Sequence, residues 1–145
     1  MNRSKRMQPV QDLMEDAEKR LARSLAGFEK RLLEAQTKLA ELERYLGEYQ
    51  KQLTQRVAQG MGVLELRDYQ AFMGRLNDAI RQQQAVVQRA CADRDAERTR
   101  WQEAARRAKA IDHVVDQWQL QERKASDRRE QIEIDERAQR ARPEQ

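Results

Sequence analysis

The chain has 145 residues, of which 37% are charged and 5% aromatic. That balance excludes a thick globular core and fits long helices or a coiled coil, with full disorder as the competing reading. The 29 Lys and Arg outnumber the 25 Asp and Glu only slightly, for a net charge of +4. The two signs are interleaved, which describes a solvated surface rather than a nucleic-acid footprint.

The opening MNRSKR is basic but continues into QPVQDLMED rather than an apolar run, so no signal peptide is expected. No stretch approaches the ~20 apolar residues of a membrane span. A soluble, cytoplasmic protein is therefore expected. A first helix is predicted over about 9–58, and Pro9 suits its first turn because the missing N–H would be unpaired there anyway. Val10, Leu13, Ala17 and Leu21 keep helical spacing but step by three, four and four, so the seam is expected to drift toward the N-terminus. From Leu25 onward the repeat is strict. Leu25, Leu32, Leu39, Leu46 and Leu53 occupy heptad position a, and Phe28, Ala35, Leu42 and Tyr49 occupy d. A sustained seven-residue repeat favours a left-handed coiled coil over disorder.

VAQGMGV then brings Gly60 and Gly62 in quick succession, and a turn is predicted over about 59–64. A second helix is predicted over about 65–118. Its seam runs through Tyr69, Met73, Leu76, Ile80, Gln83, Val87, Ala90, Arg94, Glu97, Trp101, Ala104, Ala108, Ile111, Val115 and Trp118. Only Gln83, Arg94 and Glu97 among these are polar. Two long helices joined by a short glycine turn should fold back on each other. The expected class is all-α: a long antiparallel two-helix coiled-coil hairpin within a single domain, 1–145. The expected register sets Leu53 against Tyr69, Tyr49 against Met73, Leu46 against Leu76 and Leu42 against Ile80. Residues 119–145 are rich in both charges, with Leu120, Ile132 and Ile134 as their large apolar groups. They form a tail that is helical by propensity yet expected to fray or be disordered, with Pro143 ending any helix.

Catalytic chemistry is not visible. There is no glycine-rich phosphate loop, no metal-ligand cluster, and no nucleophile with a base at useful spacing, so no enzyme and no cofactor is expected. Asp12, Glu15 and Asp16, and Asp93, Asp95 and Glu97, read as solvated faces. The single Cys91 and single His113 read as a small seam-edge residue and a surface imidazole. Arg94 and Glu97 are expected to fall opposite Phe28 and Leu25, where a buried charge is costly, so both should turn outward or loosen the helices locally.

Binding by surface is left. In an antiparallel pair the two e edges share one flank and the two g edges the other. The e flank near the turn carries Glu43, Gln50, Gln70, Asn77 and Gln84, all polar. The g flank carries Tyr45, Phe72, Ala79 and Val86, interrupted by Gln52 and Lys38. Simple widening of the core would use both flanks. A one-sided aromatic edge instead marks a protein interface.

LERYLGEYQKQL (Leu42–Leu53), a glycine-containing turn, LRDYQAFMGRLNDAI (Leu66–Ile80), RTRW (Arg98–Trp101) and a charged tail together resemble the FliJ family of bacterial flagellar type III export. The resemblance implies an antiparallel two-helix coiled coil similar to the central stalk of rotary ATPases. It also implies that the end carrying the termini enters the hexameric ring of the export ATPase FliI, and that the protein contacts the export gate protein FlhA and handles export chaperones. Neither nucleic-acid binding nor membrane insertion is implied; peripheral association with the inner-membrane export apparatus is. In the family, a surface near the hairpin tip is associated with the gate. The matching positions are Leu42, Tyr45, Tyr49, Phe72, Leu76 and Ala79, whereas Lys38 and Gln83 depart from the family's glutamine and histidine. In the heptad frame Leu42, Tyr49 and Leu76 are seam residues, and Tyr45, Phe72 and Ala79 lie on the outward g edge. A virulence-type injectisome stalk and a generic dimerising coiled coil are the alternatives.

Overall fold

The structure, a computed structural model, describes residues 2–142. Three helices follow in order: α1 (Arg3–Arg6), α2 (Gln8–Gln59) and α3 (Val63–Ala141). The protein is all-α, with two long helices packed against each other as a hairpin. The break between α1 and α2 falls at Met7, two residues before Pro9. Proline cannot donate to the carbonyl four residues earlier and its ring crowds that carbonyl, so an uninterrupted helix through this point is disfavoured. Between α2 and α3, Gly60 takes φ 95°, a left-handed angle that glycine reaches without a Cβ clash. Its N–H donates to the Val57 carbonyl at 3.2 Å, closing the end of α2.

The chain divides into two compact units, Leu21–Arg100 and Met1–Arg20 with Trp101–Gln145. In the first, every a and d position from Leu25 to Leu53, and every seam position from Tyr69 to Glu97, is buried or half-buried. Leu32, Ala35, Leu76 and Ile80 are its most enclosed apolar groups. Full burial of a leucine or isoleucine side chain contributes about 1.5–3 kcal/mol, so this stripe is what holds two otherwise polar helices together. Tyr49 packs its ring on Tyr69, 5.2 Å away, and on Phe72, within one turn of the Met73 expected opposite it. Gln83 interrupts the apolar seam without an energetic penalty of the usual kind. It is buried, and its side-chain amide donates to the Ala35 carbonyl across the helix pair at 2.9 Å.

At Arg94 and Glu97 the expectation of two outward-turned charges holds only for the first. The Arg94 guanidinium turns along its own helix to Asp95 at 2.7 Å, and that hydrogen bond holds it more firmly protonated than an ordinary arginine. Glu97 does not turn outward. It is 7% exposed; Oε2 lies 3.5 Å from Arg100 Nη1, and Oε1 has no hydrogen-bond partner among the described residues. A glutamate has too few methylenes to reach solvent from a d position, whereas an arginine has enough. The reading of Asp93, Asp95 and Glu97 as one solvated face is corrected for Glu97 on the same ground.

In the second unit, the expected drift of the seam is also corrected. Leu13 is 67% exposed and does not belong to the seam. Counting by heptads back from Leu25 instead gives Leu21, Met14 and Met7 at d, and Glu18, Gln11 and Ser4 at a; none of these is exposed. The frame is unbroken, and only its chemistry changes. Each polar a residue bonds to α3: Trp101 Nε1 donates to Glu18 at 2.9 Å, Gln11 Nε2 donates to Asp112 at 3.0 Å, and Ser4 Oγ donates to Glu122 at 2.6 Å. The Ser4 backbone N–H donates to the other oxygen of Glu122 at 3.1 Å. Both Ser4 bonds hold the Glu122 carboxyl below the usual glutamate range, the hydroxyl contributing most. Arg3 adds a guanidinium 4.3 Å from the centre of the Trp118 ring. Val115, 2% exposed, is the most enclosed apolar side chain of this unit.

The seam ends near Glu122, but the helix does not. α3 continues to Ala141, where fraying or disorder was expected, and residues 123–142 are all exposed. Glu, Gln, Arg, Lys and Ala dominate this segment and carry high intrinsic helix propensity, so helix without burial is the result. Pro143 lies outside the described residues.

Candidate partner-binding flank

Around the turn, α2 and α3 bring the g edges of both helices to one flank of the Leu21–Arg100 unit. The structure treats its six expected positions unequally. Tyr45 is 54% exposed and presents its ring to solvent. Tyr49 and Phe72 are half-buried and stacked, with centroids 4.3 Å apart. Leu42 and Ala79 are half-buried, and Leu76 is buried in the seam. Phe72 is thereby corrected from an outward edge residue to one that caps the seam tyrosine. Tyr49 and Phe72 are brought together; Tyr45, one turn from Tyr49 on the same helix face, has no aromatic partner among the described residues. Of the two departing positions, Lys38 is exposed, while Gln83 is committed to Ala35 and is not on the surface.

Heptad reasoning missed two features here. Arg75 places its guanidinium 6.0 Å from the Phe72 ring, a third layer beside the tyrosine and phenylalanine. Val57, Val63 and Leu64 stand exposed around the turn, and Arg56 and Glu65 join the helix ends there as an ion pair. The sequence showed these residues beside the glycines, but nothing in a heptad count assigns a face to residues at the end of a helix. His113 is exposed beside Gln117, and Cys91 is half-buried with Arg94 donating to its sulfur at 3.5 Å. Among the described residues no group of acids, cysteines and histidine has the geometry to hold a metal ion, and no helix is long and apolar enough to cross a membrane.

This architecture defines a class: an all-α protein of two long helices packed as a coiled-coil hairpin, with exposed aromatic and aliphatic side chains near its turn. A family model described as Flagellar FliJ protein matches residues 3–142, and the chain belongs to that family, whose members are non-catalytic components of flagellar export. Comparison with curated proteins and with solved structures gives no match.

Proposed function

We propose that the protein is a stalk-type coupling factor of flagellar export, binding the export gate protein through the flank beside its turn and the hexameric export ATPase through its terminal segments. The observation that carries the gate contact is the exposed Tyr45 ring beside the Tyr49–Phe72 stack, on one flank only. Large aromatic side chains held rigid by a packed layer are typical anchors of protein interfaces. At the other contact, the exposed helical tail 123–142 and the docked α1 are the surfaces available to the ATPase ring. Through these two contacts the protein would couple ATP hydrolysis to export and assist export chaperones, associating peripherally with the inner-membrane apparatus.

The test uses the full chain, the cytoplasmic part of the gate protein and the ATPase. Tyr45→Ala should weaken gate binding by about tenfold, equivalent to ~1.4 kcal/mol, while leaving helicity and ATPase stimulation unchanged. Deleting the tail beyond Trp118 should lower ATPase stimulation and spare gate binding. Unaltered gate binding by Tyr45→Ala, or a stable parallel dimer in sedimentation, would sink this reading.

A further inference from the structure

Farther from the turn, an open groove of about 440 Å3 lies between α2 and α3, entirely within the Leu21–Arg100 unit. Phe28, Arg31 and Ala35 form one wall, and Val86, Arg89 and Asp93 the other. The groove follows from side-chain size. Alanine occupies seam positions 35 and 90, whereas the larger Leu42, Leu46, Leu76 and Ile80 fill the seam nearer the turn, so this layer of the seam is underfilled. Val86 remains 50% exposed at its edge, an aliphatic group left for another surface to cover.

The walls also specify the shape of what fits. On α2 the lining positions step from 28 to 31 to 35, and on α3 from 86 to 89 to 93. Steps of three and four generate ridges that interdigitate with those of another helix, and the groove is open along its length rather than closed around a small molecule. Its charge then selects among helices. The Asp93 carboxylate is taken by Arg89 at 3.2 Å. Arg31 has no carboxylate partner among the described residues, and its guanidinium lies 4.8 Å from the Phe28 ring centre. Glu34, one turn on from Arg31, is exposed and does not line the groove. The walls therefore carry an excess of positive charge above an apolar floor.

We infer that this groove is the docking site of an acidic amphipathic helix from a partner protein, which converts the helix pair locally into a three-helix bundle. Branched aliphatic side chains of that helix cover Ala35 and Val86, and a flanking carboxylate meets Arg31. The groove contains none of the six positions assigned to gate contact, although its Val86 continues the g flank on which Tyr45, Phe72 and Ala79 lie.

The probe is a labelled three-heptad peptide with leucine along its seam and glutamate on both flanks, compared with a twin carrying lysine in place of glutamate. Binding to the full-length protein is followed by fluorescence anisotropy, with far-UV circular dichroism as the folding control. The glutamate peptide should bind at least about tenfold tighter than its twin, Arg31→Glu should abolish that preference, and Val86→Glu should weaken binding by about tenfold. Should Val86→Glu disturb the fold, Val86→Ser gives a smaller loss in the same direction. Tyr45→Ala should change nothing, which separates this groove from the gate flank. Equal affinity for the two peptides would overturn the inference, as would indifference to both Arg31→Glu and Val86→Ser. So would a dimer of the protein that Val86→Ser dissociates, since a second copy would then fill the groove.

Discussion

Phe72 of α3 lies stacked on Tyr49 of α2, their planes inclined by 29°. Across the two helices this is a packing contact first and a surface feature second. Phe72→Ala should lower the stability of the protein by about 2 kcal/mol, less than the roughly 3–5 kcal/mol for losing a fully buried aromatic side chain because this ring is half-buried. Tyr45→Ala, at an exposed ring, should cost under ~0.5 kcal/mol. Urea unfolding followed by circular dichroism separates them, and a Tyr49/Phe72 double-mutant cycle should return a coupling of about 0.5–1.5 kcal/mol. Equal losses at positions 45 and 72 would contradict the assignment of Phe72 to the packed layer.

Gln83 spends its amide on the Ala35 carbonyl inside the seam. Gln83→Ala removes that bond together with buried side-chain volume, and should cost about 1–3 kcal/mol in thermal or urea unfolding. An effect within ±0.5 kcal/mol would mean that the bond is replaced by water when the amide is absent.

Glu97 calls for the opposite outcome. An oxygen with no partner in a buried carboxylate is a destabilising group, and substitution by an apolar residue of similar size often stabilises. Glu97→Leu should raise stability by roughly 1–3 kcal/mol and slow amide hydrogen exchange in residues 94–100. Glu97→Gln, which keeps shape and removes charge, should fall between the two. A loss of stability with Leu would show that the long contact to Arg100 outweighs the unpaired oxygen.

The Glu122 carboxyl is held low by the Ser4 hydroxyl and then by the Ser4 backbone N–H. Its contribution to docking α1 is complete above the ordinary glutamate pKa and is lost as pH falls through its own, lower value. With Trp101→Phe as background, the Trp118 fluorescence perturbed by Arg3 reports that docking. Acid titration should show a transition below the ordinary glutamate range, and Ser4→Ala should move it upward. An unmoved transition would assign the acid step to another carboxylate.

The all-α hairpin was legible because burial leaves an unambiguous periodic mark: Leu32, Ala35, Leu76, Ile80 and Val115 all sit on heptad positions and are all enclosed. The polar residues of the same frame were not legible as such. Ser4, Gln11 and Glu18 carry no hydrophobic signal, so the apolar Leu13 was given a seam position that it does not occupy. Arg94 and Glu97 looked equivalent in one dimension, and only side-chain reach separates them. At the candidate flank, heptad position foretold the exposure of Tyr45 but not the inward turn of Phe72. Which way a ring at an edge rotates depends on the neighbour it finds there, and that neighbour, Tyr49, sits on the other helix.

The three polar pairs of the terminal unit, Ser4 with Glu122, Gln11 with Asp112 and Glu18 with Trp101, behave together as a combination lock. Sliding α1 and α2 past α3 by one heptad in this unit breaks all three bonds at once; in one direction it sets Ser4 against Val115 and Gln11 against Ala105, and in the other it sets Glu18 against Ala108. An all-leucine seam would accept such a slip with little complaint. Here a slip costs three hydrogen bonds, so helices of the unit that are pried apart favour closing in the alignment that restores them.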